Sequence, residues 1–268
     1  MIKIYDDNNE FVAKFEDFFK SDEIKFGLIW RIAMRSNIVT YMVSSIIEDH
    51  FVLGVLAGKN LILASNTTKI DVYQELVAHM DTVDYPGIIG EKQCCFTYKE
   101  VFEQHTNQLM KVEMDQRIYS CKEVIDHADT RGSVRLAVEK DLELLTQWSV
   151  KFALEAEGYV QDTNKQREHV LSKIKTKLLY VLEIDNEVVS MTARTNTPGD
   201  TESVGYVYTP KEYRGRGYAS LLVAEVTKHV LNDGKIATLY TDLSNPTSNS
   251  IYMKIGYEPY CDSVMIVK

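Results

Sequence analysis

Residues 204–219, VGYVYTPKEYRGRGYA, constrain the chain more than any other stretch. An apolar run ends at Thr209-Pro210, a short charged loop follows, and two glycines lead into a long segment with apolar residues at helical spacing. This reads as strand, turn and helix start, an arrangement that belongs to layered α/β folds. The first N–H groups of a helix lack partners within the helix, and the helix dipole is positive at that end, so such a turn is an anion site. Glycine lets the backbone reach a phosphate because no Cβ stands in the way, which makes the turn a candidate pyrophosphate cradle. Glycines also serve turns that bind nothing, so spacing alone leaves a structural reading open. The lysine of a GxxxxGK[ST] phosphate loop is missing, as are the three glycines and the later acid of a dinucleotide fingerprint.

The surrounding pattern is that of one mixed α/β layer. Residues 134–138 read as a strand and 141–157 as an amphipathic helix with Leu142, Leu145, Trp148, Phe152 and Ala156 on one face. Residues 164–177 read as a second helix, with Val170, Leu171 and Ile174 inward. Strands at 178–183 and 188–195 are joined by the turn residues Asp185-Asn186-Glu187. From Tyr218 a helix runs to about residue 231, its Tyr218, Leu222, Val226 and Val230 recurring every four residues. A strand at 237–242, a helix from about Pro246 to just before Gly256 and a strand at 264–267 close the chain.

Upstream, residues 10–19 and 24–34 read as helices, 51–56 and 61–64 as a hairpin, and 72–80 as a helix. Phe11, Phe15, Phe18 and Phe19 have the spacing of a helical core face. Residues 85–90, YPGIIG, read as a structural glycine loop before a further helix through His105. Hairpin, helix, glycine loop and helix echo the order downstream, which raises a degenerate internal duplication as one of two readings. The polar stretch at 126–132, DHADTRG, marks a boundary between a domain at 1–130 and another at 131–268.

Composition removes several classes. With 45% hydrophobic and 26% charged residues the chain is globular, not disordered. No apolar run approaches the roughly 20 residues of a membrane span, and no export signal opens the chain, so a cytoplasmic, membrane-free protein is expected. The net charge is -9, and residues 1–130 hold 13 Lys and Arg against 21 Asp and Glu, whereas residues 131–268 hold 17 against 18. An acidic half without a basic face argues against nucleic acid. The four cysteines form no CxxC pair and the six histidines are scattered, so no metal site is expected.

The pattern Arg214-x-x-Gly217-x-Ala219 after a strand, followed by Asn245, Tyr252 and Gly256-Tyr257 in NPTSNSIYMKIGY, resembles the GNAT superfamily of acyl-CoA N-acyltransferases over about residues 131–268. In detail, VYTPKEYRGRGYA resembles the glycine N-acyltransferase-like branch, and residues 135–155 resemble bacterial two-domain acetyltransferases. The resemblance implies a C-terminal GNAT-like domain with acetyl-CoA (coenzyme A) as acyl donor; on the duplication reading, a smaller, degenerate GNAT-like domain precedes it in a mixed α/β fold. It implies that backbone groups of Tyr206, Val207 and Tyr208 pair with the pantetheine arm. It also implies that Arg214, Gly215, Arg216, Gly217, Tyr218 and Ala219 hold the pyrophosphate and that the Asn245 side chain contacts the donor.

Tyr252 is then the expected general acid, protonating the thiolate as an amine displaces it. Glu155, Glu157, Glu183 and Glu202 are carboxylates available as a base, with none singled out. No cysteine falls within the matched motifs, so direct attack in a ternary complex is expected, without a thiol relay. The partner is a small-molecule amine of unidentified structure, and the acidic first half suggests a cationic one. A homodimer is compatible with all of this. A non-catalytic acyl-CoA-binding regulatory module is the alternative.

Overall fold

The structure, a computed structural model, describes residues 1–58, 60–125, 131–157 and 162–268, with the side chains of residues 156 and 157 also outside the description. The first half runs β1 (Ile2–Ile4), α1 (Asn8–Ser21), α2 (Glu23–Ala33), β2 (Val39–Ile47), β3 (His50–Ala57), β4 (Asn60–Ser65), α3 (Ile70–Met80), β5 (Gly87–Glu91), α4 (Lys92–Thr106) and β6 (Lys111–Cys121). The second runs β7 (Ser133–Leu136), α5 (Leu142–Glu157), α6 (Thr163–Lys175), β8 (Leu179–Ile184), β9 (Glu187–Asn196), β10 (Thr201–Tyr208), α7 (Tyr218–Asn232), β11 (Ile236–Asp242), α8 (Pro246–Ile255) and β12 (Glu258–Val267). The two lists match element for element, so the internal duplication is real at the level of topology. The expected boundary at 126–132 falls mostly on residues 126–130, outside the described residues.

All twelve strands form one mixed sheet in the order β1-β2-β3-β4-β5-β12-β6-β11-β10-β9-β8-β7. Among the described residues only β4–β5 and β10–β11 pair in parallel. The last strand of each half sits beside the other half's strands. β12 pairs with β5 from Ser263↔Glu91 to Val267↔Gly87, and β6 pairs with β11 from Ala237↔Cys121 to Asp242↔Gln116. The halves therefore exchange strands, and each completes the other's hydrogen-bond ladder.

Side chains alternate across the sheet, so each half has a core on both faces. In the second half, Leu182, Val204 and Leu239 pack under α7, and Val181, Met191 and Ala193 pack under α5 and α6. The expected inward residues of α7 are all buried. Phe11, Phe15 and Phe19 are buried under the sheet's first half with Trp30 stacked on Phe19, as core spacing requires.

Residues 85–90 differ from expectation. They lead into β5, flanked on both sides by strands, not a loop. A Cβ on Gly87 would lie 2.4 Å from the Ile266 carbonyl oxygen, and one on Gly90 would lie 2.4 Å from that of Leu63, so these glycines allow close strand approach. Among the described residues no helix is long and apolar enough to cross a membrane.

Candidate functional site

β10 and β11 begin as a parallel pair, Thr201↔Ile236 to Ser203↔Thr238, and then separate. β10 continues to Tyr208 and β11 to Asp242 without further pairing between them. A wedge-shaped gap therefore opens inside the sheet, edged by main-chain groups that another extended chain can pair with. In the first half β4 stays paired with β5 from Asn60↔Gly87 to Leu63↔Gly90, nearly the whole length of β5, so the equivalent gap is closed.

A β-bulge between Gly205 and Tyr208 turns β10 at the gap. Tyr206 within it has φ 58, a left-handed conformation costly for a bulky residue. Its side chain is held from several sides, by the Ser149 hydroxyl, by Phe152 edge-on at 5.1 Å and by His169 at 5.6 Å. Packing thus fixes a bend that the residue would not adopt alone.

Beyond β10, Arg214 is extended, Gly215 has φ +75, and Gly217, at φ +81, forms the N-cap of α7. Gly217 brings no side-chain cap, and the first N–H bonded back along this helix is that of Leu221, to the Gly217 carbonyl. The amides of Tyr218, Ala219 and Ser220 consequently face outward at the positive end of a 15-residue helix. Near them lies Arg131, its guanidinium 5.8 Å from the Tyr218 ring and its Nη2 donating to the Arg216 carbonyl at 3.0 Å. Arg131 was not legible as a site residue, because only the fold brings it next to position 217.

Gap, loop and α8 border one cleft of about 650 Å³. Val207, Tyr208, Arg214, Gly215, Gly217, Tyr218, Ala219, Asn245 and Tyr252 all line it, joined by Phe152 and Glu155 of α5. Two expected residues do not. The Tyr206 side chain turns to the α5–α6 face, and Arg216 is exposed, its Nη2 donating to the Glu212 carbonyl at 3.2 Å. Arg214 lines the cleft but is engaged, donating from Nε to the Thr209 carbonyl at 2.8 Å and from Nη2 to Glu155 at 2.6 Å.

Asn245 caps α8, its Oδ1 accepting from the Ser248 N–H at 3.0 Å. Behind it the buried Asn249 accepts from the Tyr119 hydroxyl at 2.9 Å and donates to the carbonyls of Asp242 and Asn245, which fixes the turn from β11 into α8. Tyr252 follows on the same helix, half-buried and edge-on to Tyr257 with centroids 6.1 Å apart. Burial pushes its phenol up to about 12, against a smaller opposing effect of its hydrogen bond with Ser248. It therefore holds its proton through the physiological range.

Of the three carboxylates whose side chains are described, Glu155 alone lines the cleft. Glu183 pairs with Arg135 at 2.7 Å, and the buried Glu202 with Arg194 at 2.5 Å and Lys235 at 3.3 Å. The Glu157 side chain lies outside the described residues.

A family model described as FR47-like protein matches residues 183–266. Among curated proteins none matches. A GNAT-family acetyltransferase of Colwellia psychrerythraea is similar in structure over 100% of both chains, with TM-score 0.70 and 12% identity. A Drosophila protein is similar over 99% of this chain and 97% of its own, with TM-score 0.67 and 12% identity. A GCN5-related N-acetyltransferase of Sphaerobacter thermophilus is similar over 85% and 80%, with TM-score 0.56 and 14% identity. Likeness at this identity speaks for architecture, and from its first strand to its last the chain has the two-domain fold of the GNAT superfamily.

Proposed function

We propose that the chain is an acyl-CoA-dependent N-acetyltransferase whose donor site lies in residues 131–268. The observation that carries this is the joining, in one cleft, of an opened strand pair, outward helix amides and a protonated phenol. A pantetheine arm has the shape and hydrogen-bonding pattern of an added strand, which suits the free edge along 206–208. A pyrophosphate suits the amides of residues 218–220, with Arg131 beside them as a further cation.

Acetyl-CoA supplies an activated thioester. The remaining work belongs to the chain. The bulge at Tyr206 holds the edge in place, Asn245 and Asn249 hold α8, and Tyr252 delivers a proton to the departing sulfur as the C–N bond forms and the C–S bond breaks. Delivering the proton avoids releasing a free thiolate. Attack is direct, since Cys94, Cys95 and Cys121 are buried and Cys261 is not among the residues lining the cleft.

Calorimetric titration with acetyl-CoA, together with thiol release across an amine panel, tests the reading. Binding plus turnover is expected. Binding without thiol release for any amine indicates the non-catalytic acyl-CoA-binding module, and absence of binding overturns both.

A further inference from the structure

Tyr252 sits midway between two anchors on α8, three residues after Asn249 and three before Ile255. Both anchors are held by the stretch of chain that leaves the first half. β6 runs beside β11 with Tyr119 opposite Leu239, and Leu239 packs under α7, so the Tyr119 side chain takes the face that carries α7 and α8. Its buried hydroxyl donates to Asn249 Oδ1 at 2.9 Å. The Asn249 amide nitrogen then uses both of its hydrogens, on the Asp242 carbonyl at 3.0 Å and the Asn245 carbonyl at 2.7 Å. One side-chain amide thus joins the end of a gap edge, the N-cap of α8 and a strand of the other half.

The second anchor lies just beyond β6. The Ile125 N–H donates to the Ile255 carbonyl at 2.8 Å. Gly256 follows at φ +115, and a Cβ there would lie 2.4 Å from the Glu123 carbonyl oxygen, so backbone packs directly on backbone. α8 has ten residues, too few to be stable as a helix alone, and its order comes from such contacts. The cradle amides and the 206–208 edge belong to α7 and β10 and take no part in either anchor.

We propose that Tyr119 is a positioning residue for the transfer: its hydroxyl, acting through Asn249, sets the place of α8 from which Tyr252 reaches the departing sulfur. The transfer rests on the reading above, while the placement of α8 does not. A proton donor must stand within hydrogen-bond reach of the atom it serves, and a displacement of about 1 Å can cost about a hundredfold in rate. The first half, none of whose described residues lines the cleft, then enters the reaction through one hydrogen bond.

Thiol release with the amine of the panel turned over fastest, and calorimetric titration with acetyl-CoA, are to be measured for Tyr119→Phe, Asn249→Leu and the double variant. Tyr119→Phe is expected to lower kcat by about ten- to hundredfold and to leave the Kd of acetyl-CoA within about twofold. The double variant should be no slower than Asn249→Leu alone, because both act through one bond. Tyr98→Phe is the control. It removes a buried hydroxyl bonded to Tyr85 in the first half's core, so it should lower the melting temperature and leave kcat unchanged. Unchanged kcat in Tyr119→Phe, an equal loss in Tyr98→Phe, or losses that multiply in the double variant overturn the proposal. Amide hydrogen exchange reads α8 without turnover, and residues 249–256 should exchange about tenfold faster in Tyr119→Phe than in wild type or Tyr98→Phe. Should the wild type release no thiol with any amine, the transferase reading falls and this exchange alone decides whether Tyr119 holds α8. Unaltered exchange overturns that as well.

Discussion

Arg214 donates through Nη2 to Glu155 at 2.6 Å, tying the glycine loop to α5 across the mouth of the cleft. Glu155 in turn accepts from the Tyr208 hydroxyl at 3.4 Å. The pair is partly exposed, and such pairs are worth about 0–1 kcal/mol. Glu155→Gln should therefore raise the Kd of acetyl-CoA by up to about fivefold and leave kcat within a factor of two. A hundredfold fall in kcat at unchanged Kd would instead make Glu155 the general base.

Gly217→Ala tests the cradle. At φ +81 an alanine costs roughly 1–2 kcal/mol, and its Cβ would stand 3.5 Å from Arg131 Nη2, in ordinary contact. The loop should relax rather than clash. Thermal scanning should show mild destabilisation, and titration about tenfold weaker acetyl-CoA binding.

Tyr252→Phe should lower kcat by about 10²–10⁴ with acetyl-CoA affinity intact, since it removes a proton and little contact area. With its phenol pushed up to about 12, wild-type turnover should show no loss from this group as pH rises to 9. An alkaline loss with a midpoint below 9 that disappears in Tyr252→Phe contradicts the assignment.

Lys173 offers a test in stability alone. Its amine falls to about 8 in the fold, against roughly 10.4 in an unfolded chain, so the native state binds the proton more weakly. Stability from this group is complete above the unfolded value and is lost as pH falls through the folded one. Lys173→Met should therefore stabilise by about 2 kcal/mol at pH 7 and by much less near pH 10, read from denaturant midpoints. A gain that does not vary with pH would mean packing, not charge.

The strand exchange predicts what happens when the chain is divided. Residues 1–130 produced alone lack β12 between β5 and β6, and residues 131–268 alone lack β6 beside β11. Each should be poorly folded by itself, and mixing should restore the sheet and acetyl-CoA binding. Two independently cooperative halves in separate thermal scans would refute this.

The second half was readable almost element by element. Its helices carry clean four-residue periodicity, and α7 begins at the expected Tyr218. Much of the first half's sheet was not readable. β6, KVEMDQRIYSC, is largely charged and polar, and is a strand because β12 and β11 pair with it on both sides. That cause lies more than a hundred residues away. β5 carries glycines where a loop would, because its neighbours press against it. Eight of the ten expected donor-site residues, all but Tyr206 and Arg216, line the cleft, whereas Arg131 reaches the cradle only through the fold.

Because β6 and β12 are each woven into the opposite half, no seam runs between the halves along which they could slide. β10 and β11, the two edges of the gap, are then mounted on a single plate with the first half, and their spacing is set by backbone ladders instead of by a hinge. A first half with its own gap closed can still serve as the fixed jaw of its twin.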